Sequence, residues 1–258
     1  MKRTFERIAV IAAMPSELQH LPGLPHLPQT SDDTWPSVTW SQGNLEITAV
    51  LCGIGMIRAA AATEATITHH RPDAVLNFGC TGAHRRDVNV GDVIIGTRAV
   101  SHGTAIIEPS GVNRYWTHDG MDPPEPGKTG LAADPGLLAV AREVAADWTP
   151  DAWGTRNPSP RVLEGVVASA DVWTQSHAEI EALAERHLSL CEDMEAAAIA
   201  TICALHDVPF LTIKDISNNE LLQVTIFDPE GTHLPEAEVG RRAAALAGRI
   251  IAAIADAE

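Results

Sequence analysis

Short apolar runs alternate along the chain with helix-length amphipathic or Ala-rich stretches, the pattern of strands separated by helices. Ile8–Ala12 predicts a buried first strand, followed by Pro15-Ser16-Glu17, which opens a helix or a loop. Ser37–Trp40 and Leu45–Leu51 flank Gly43-Asn44 and predict a hairpin with a tight turn. After Gly53-Ile54-Gly55 an Ala-rich helix is expected from about Ile57 to His69, stopped before Pro72. Ala74–Asn77 predicts a short strand running into a Gly-rich turn, Gly79-Cys80-Thr81-Gly82. Further strands are expected at Asp92–Ala99, Val162–Ala168 and Phe210–Ile216, and helices at Pro135–Ala146, His177–Arg186, Glu195–His206 and Ala237–Ala255. The last helix reads as apolar on one face with Arg241, Arg242 and Arg249 on the other. Glu108–Lys128, rich in Pro and Gly, and Pro150–Pro160 read as loops, the first crossing the mouth of the sheet. With no repeat, low-complexity tract or linker, the expected fold class is α/β: one domain over residues 1–258, a single three-layer α/β/α sandwich around a mixed, mostly parallel twisted sheet. Ligands of such sheets bind beyond the carboxyl ends of the strands.

Composition narrows the partners. The formal charge is −16, from 18 Lys+Arg against 34 Asp+Glu, which argues against nucleic acid or an anionic membrane as the main partner. No stretch approaches the ~20 apolar residues of a membrane span. The start, Met1-Lys2-Arg3 followed by Ile8–Ala13, reads as a buried strand rather than a secretory leader, because the apolar run is short and Glu6-Arg7 directly precedes it. Cys52, Cys80, Cys191 and Cys203 form no CxxC pair and no His cluster stands at ligand spacing, so the expectation is reduced thiols in a cytoplasmic protein without a metal site. Gly53-Ile54-Gly55 lacks the third glycine of a dinucleotide fingerprint and no Walker-type Gly-Lys-Ser/Thr occurs, so no cofactor is expected.

The residues just after each apolar run are Met14–Glu17, Gly79–Gly82, Ser169–Trp173, Glu192–Glu195 and Ser217–Glu220. They are rich in carboxylates and small residues and nearly devoid of Lys and Arg, a mouth suited to a neutral, hydroxylated, ring-containing ligand. Their order carries a resemblance. Ala13-Met14-x-x-Glu17, Gly53-Ile54-Gly55, Asn77-x-Gly79-x-x-Gly82, Val90-Gly91-Asp92, Ser169-x-Asp171 and Asp193-Met194-Glu195-Ala196 together resemble the nucleoside phosphorylase/nucleosidase superfamily, closest to the methylthioadenosine/S-adenosylhomocysteine nucleosidases. The likeness runs from about Ile8 to Ala255.

That resemblance implies cleavage of a purine–ribose N-glycosidic bond through an oxocarbenium-like transition state, in a homodimer, with hexamers among the phosphorylases. Glu17 matches the water-activating glutamate; a carboxylate there can take the proton of a water attacking the anomeric carbon. Alone, Glu17 would read as an acid favoured at a helix N-terminus. Glu195 matches the residue that grips the ribose hydroxyls and steadies a cationic sugar, and Met194 the one packing beneath it. Asp193 is given an assisting part, and Glu192 a solvated one. Trp173 stands where a base-stacking aromatic is found, and Thr174 where the backbone meets the base edge. Cys80, Thr81, Gly82 and Ser217 complete the expected lining, Cys80 as a small polar filler rather than a nucleophile.

One position departs from the pattern. Methylthioadenosine-type enzymes carry Ser-Asp at the end of the last strand, the acid protonating purine N7; here the residues are Ser217-Asn218. Either Asn218 serves a 6-oxopurine, as in futalosine hydrolases, or Asp215 or Glu220 supplies the proton, or the chain only binds nucleosides. Strand alternation puts Asp215 on the face opposite Asn218. The run Asn219-Glu220-Leu221-Leu222 lacks the sequence usual after that asparagine in futalosine hydrolases. Phosphorolytic relatives carry a phosphate-binding arginine where this chain has Asn77, so water is the expected nucleophile. The alternatives are a purine nucleoside phosphorylase using phosphate and a catalytically impaired binder.

Overall fold

The first strand shows how the core divides. In the computed structural model, which describes residues 5–28, 35–107, 109, 113–117, 120–121, 129–154, 156–224 and 237–256, β1 (Arg7–Ala12) sends Ile8, Val10 and Ala12 into one apolar cluster. It sends Ala9 and Ile11, with the following Ala13, into another. Apolar residues on both faces of a strand are what a sheet covered on both sides requires.

After β1 come α1 (Pro15–Leu18), β2 (Ser37–Gln42), β3 (Leu45–Leu51), α2 (Met56–His70), β4 (Ala74–Ala83) and β5 (Val93–Ser101). Three short strands follow, β6 (Ala105–Ile107), β7 (Asn113–Thr117) and β8 (Gly120–Met121), then β9 (Leu131–Ala132) and α3 (Pro135–Ala146). The chain continues through β10 (Val162–Ser169), α4 (His177–His187), β11 (Ser189–Asp193), α5 (Ala196–Leu205), β12 (Phe210–Asn218), a 3₁₀ turn (Glu220–Leu222) and α6 (Arg241–Ala255). The main sheet runs β11-β10-β5-β12-β4-β1-β3-β2, with β9 on β5. It is mixed: β12 pairs parallel to β4 and antiparallel to β5. Helices α3 and α6 cover one face and α2 and α5 the other, giving the three α/β/α layers.

Beyond its parallel partner β10, β11 also pairs antiparallel with the end of β4, through Cys191↔Ala83 and Glu192↔Gly82. The sheet thus curls over at its carboxyl end and encloses a cleft. This closure corrects two expectations. Gly79–Gly82 is strand rather than turn, because β12 on one side and β11 on the other supply backbone partners up to Ala83. Residues 189–193, not foreseen as a strand, form β11 on the strength of those same partners. The register between β12 and β4 slips between Ile216 and Asn218, a bulge at Ser217 that re-aims the end of the strand.

Two further expectations change. Within the Glu108–Lys128 segment, β7 and β8 join β6 in a three-stranded antiparallel sheet; the remainder, apart from residue 109, lies outside the described residues. The stretch after Glu220 is described only to residue 224 and again from 237, and Met1–Arg3 fall outside it too. Helix α6 begins at Arg241, and Arg242 is not on its solvent face but fully buried. Its guanidinium donates to the carbonyls of Asp151 and Ala152 and to Glu238, stacks 4.8 Å over Trp153, and its backbone N–H donates to Asp215. Among the described residues no helix is long and apolar enough to cross a membrane.

Candidate active site

The cleft under the curl encloses about 260 Å³, with Met14 and Glu17, Ile54, Cys80–His84, Val172–Thr174, Ile180, Glu192–Glu195, Ser217, Asn218 and Glu220 among its walls. The catalytic and substrate-binding residues expected from the resemblance lie in this lining: Glu17, Cys80, Thr81, Gly82, Trp173, Thr174, Asp193, Met194, Glu195, Ser217 and Asn218. They converge because the ends of β4 and β11 pair antiparallel, while β12 runs beside β4 and β10 beside β11.

Glu17 sits in α1 with its carboxylate turned back over the end of β1. Its Oε2 accepts the backbone N–H groups of Ala13 (3.2 Å) and Met14 (3.0 Å), and its Oε1 that of Cys80 (2.8 Å). Three fixed donors leave one of its four lone-pair sites, on Oε1, for the cleft. Gly79 makes room for this approach, since a Cβ there would stand 2.6 Å from Oε1.

Glu195 lines the same cleft from the turn between β11 and α5. Its Oε1 accepts the Gly55 N–H at 2.9 Å, and the next amide, Met56 N–H, goes to Asp171 at 2.6 Å. The Gly53–Met56 loop is thereby pinned by two carboxylates. Gly55 adopts φ +106°, and a Cβ on it would meet Asp171 at 2.9 Å, so only glycine fits. Burial and the nearby Asp193 push the Glu195 carboxyl up to about 7, against the opposing pull of Lys214 and the Gly55 hydrogen bond.

Asp193 turns out to be a structural hub. It accepts from Ser169 Oγ and from the Ala196 N–H that starts α5, and its Oδ2 lies 2.7 Å from Nζ of Lys214. Lys214 was not foreseen: it reads as an isolated charge in an apolar strand, yet it is fully buried beneath the cleft. Burial opposes its charge, and Asp193 and Glu195 outweigh that penalty and hold its pKa above the usual lysine value.

At the other end, Asn218 is held between two groups. Its Oδ1 accepts from Ser217 Oγ (3.0 Å) and its Nδ2 donates to Glu220 Oε1 (3.0 Å). Because a carboxylate only accepts, Glu220 fixes the amide orientation, leaving one N–H and one lone pair for a ligand. Trp173, 42% exposed, forms a wall. Two expectations are corrected here. Glu192 is not solvated but buried, accepting from both the N–H (3.0 Å) and the hydroxyl (2.7 Å) of Thr174. The Thr174 N–H is therefore engaged by a carboxylate rather than open to a base.

Burial pushes the Cys80 thiol well above its ordinary value, and the Glu17 carboxylate beside it adds to the rise. His84 pairs with Ser189 and Glu192. Asp215 lies outside the lining, against Arg242. Asn77 is also outside it, its amide bridging Ile11 O and Thr212 Oγ1 between strands. Arg58, Arg85 and Arg86 are bonded to Cys52 O, Asp87, and Leu221 O with Glu181 respectively; no Lys or Arg is among the described lining residues. Among the described residues no group of three or more His, Cys, Asp or Glu is placed to hold a metal ion, and the four cysteines are free.

Comparison with known proteins places this architecture. The family described as Phosphorylase superfamily matches residues 7–256. A 5'-methylthioadenosine/S-adenosylhomocysteine nucleosidase of Chromohalobacter salexigens is 32% identical over 216 residues, 82% of this chain and 84% of its own. Two solved structures share the fold. The nucleosidase of that name from Neisseria meningitidis, in complex with methylthio-immucillin-A, has TM-score 0.70 and 23% identity over 98% of this chain and 100% of that one. The futalosine hydrolase of Helicobacter pylori has TM-score 0.71 and 21% identity over 98% of each. With a curled sheet, two carboxylates in its cleft and these relatives, the chain belongs to the phosphorylase superfamily and is an enzyme of its nucleosidase group.

Proposed function

We propose that this protein hydrolyses the N-glycosidic bond of a 5'-modified purine nucleoside whose base is a 6-oxopurine, with futalosine- and inosine-like compounds as the substrate class. The observation that carries the reading is the pair of carboxylates Glu17 and Glu195 in one cleft whose described lining holds no Lys or Arg. Glu17, steadied by three N–H groups, takes the proton of the attacking water. Glu195 accepts from the ribose hydroxyls and places negative charge against the sugar as it becomes cationic, while Met194 packs beneath the ring. The leaving base lies against Trp173 and takes its N7 proton from solvent water, with Asn218 offering its free N–H to O6 and its free lone pair to the resulting N7–H. An amide cannot itself deliver a proton, which favours a base whose departure needs stabilising rather than protonating by the enzyme.

Release of base from a nucleoside panel, measured with and without phosphate, tests this directly. Rates independent of phosphate, fastest for inosine-like nucleosides, are expected; strict phosphate dependence with ribose 1-phosphate as product makes the protein a phosphorylase instead. Asn218→Asp should move preference toward 6-aminopurines.

The pH profile follows from Glu195. Its carboxyl works ionised and is pushed up to about 7, so kcat/KM should climb as pH rises through that value and level off above it. A profile flat across neutrality would remove Glu195 from the role of charged ribose ligand.

The same reading takes residues 1–258 as one domain, acting in the cytoplasm as a homodimer. Ile54, Ile57 and Val172, exposed beside the cleft, support the dimer, and the four free thiols support a reducing compartment.

A further inference from the structure

The cleft contains a carboxylate to which the mechanism above gives no part. Glu192 ends β11 with its side chain in the lining and only 8% of the residue exposed. A carboxylate offers about four lone-pair sites. Oε2 uses two, for the Thr174 hydroxyl (2.7 Å) and His84 Nε2 (3.3 Å), with His102 Nε2 a further 3.5 Å contact. Oε1 uses one, for the Thr174 N–H (3.0 Å), and keeps one.

The surroundings hold this group as an acceptor. His84 Nδ1 lies 2.8 Å from Ser189 Oγ, and with that hydroxyl donating, the ring's Nε2–H faces Glu192. Burial alone would raise the Glu192 pKa; the hydrogen bond from His84, the His102 ring beside it and the bond from Thr174 together bring it below its ordinary value. A carboxylate kept ionised in a purine cleft is selective by nature. A 6-oxopurine carries a proton on N1 and can donate to it, whereas the N1 of a 6-aminopurine presents a lone pair and is repelled.

We propose that Glu192 reads the base, its free Oε1 lone pair accepting N1–H of a 6-oxopurine, with His84, His102 and Thr174 as positioning residues. The proposal rests on the purine nucleosidase reading and deepens it: Asn218 addresses the N7/O6 side, and Glu192 the N1 side, so two separate contacts select the same base class. It also gives the engaged Thr174 N–H a meaning. That donor would suit an adenine N1, and the carboxylate covers it with an acceptor.

Calorimetric binding of hypoxanthine, 1-methylhypoxanthine and adenine to the wild-type protein and to Glu192→Leu provides the test. Hypoxanthine should bind the wild type about ten- to a hundredfold more tightly than either of the others, the weight of one charged hydrogen bond. Glu192→Leu should bring hypoxanthine and adenine within about threefold, by removing the acceptor and releasing the Thr174 N–H. Equal wild-type affinity for hypoxanthine and its 1-methyl derivative overturns the proposal, and that arm needs no variant to fold. An unchanged preference in a folded Glu192→Leu overturns it as well. Because free-base binding needs no hydrolysis, failure of the enzyme reading registers separately, as an absence of base release from nucleosides.

Discussion

Glu17→Ala should lower base release by about 10²- to 10⁴-fold, the usual weight of a positioned general base, while affinity for the free base stays at the wild-type level. The split follows from geometry. The carboxylate sits at the end of the cleft formed by Met14 and Cys80, whereas Trp173, Asn218 and Glu192 gather the groups assigned to the base. The three N–H groups that Glu17 now engages would face the cleft, where water can take their place, so the fold should not collapse. Parallel measurement of turnover, free-base calorimetry and melting temperature separates the possibilities. Activity within about tenfold of wild type would strip Glu17 of its role, because that loss falls below what general-base removal produces. No base release from the wild-type protein, with nucleoside still bound, would instead mean that the site only binds.

The second large effect is on stability. Asp193→Asn leaves the Lys214 ammonium buried with its 2.7 Å partner gone. Breaking one side of a buried ion pair typically costs about 3–5 kcal/mol, which for a chain of this size lowers Tm by about 6–20 °C. Replacing both members by neutral groups of similar volume, Asp193→Asn with Lys214→Met, should recover most of that loss, because no uncompensated charge then remains. A double variant as unstable as the single one would trace the loss to the other bonds of Asp193, those to Ser169 and the start of α5. Thermal unfolding of the single and the double variant beside the wild type decides between them.

Why Asp193 reads from sequence as a ligand-binding acid, and Lys214 not at all, shows what a sequence encodes locally. The strands at Leu45–Leu51 and Phe210–Asn218 and the helix at Pro135–Ala146 are legible because their signals, apolar runs, Gly-Asn turns and a Pro after an Asp cap, lie within a few residues. Strand β11 carries no such signal. Ser189-Leu190-Cys191-Glu192-Asp193 is too polar for a buried strand until its distant partners are known: His84 and Ser169 for its two carboxylates, and Lys214 across the sheet. Arg242 fails in the same way, since the carbonyls that draw it inward belong to a loop some ninety residues earlier. The positions of the site residues are legible as an ordered set of short motifs at strand ends. The division of labour among them is not, because it depends on which carboxylate faces the cleft and which is held by Lys214, Thr174 or a backbone amide.

The pairing of β11 with β4 has a consequence for the protein in concentrated solution. A strand at the end of a sheet ordinarily offers a row of unsatisfied backbone groups on which a second chain can add, the usual seed of aggregation. By turning back onto Gly82 and Ala83, β11 spends part of that row within its own chain, at the very residues that wall the cleft. The other end of the sheet is left to β2, which pairs with β3 alone and alternates Val38 inward with Thr39 and Ser41 outward. The folding step that shapes a binding site also removes a place where copies of the chain could stick together.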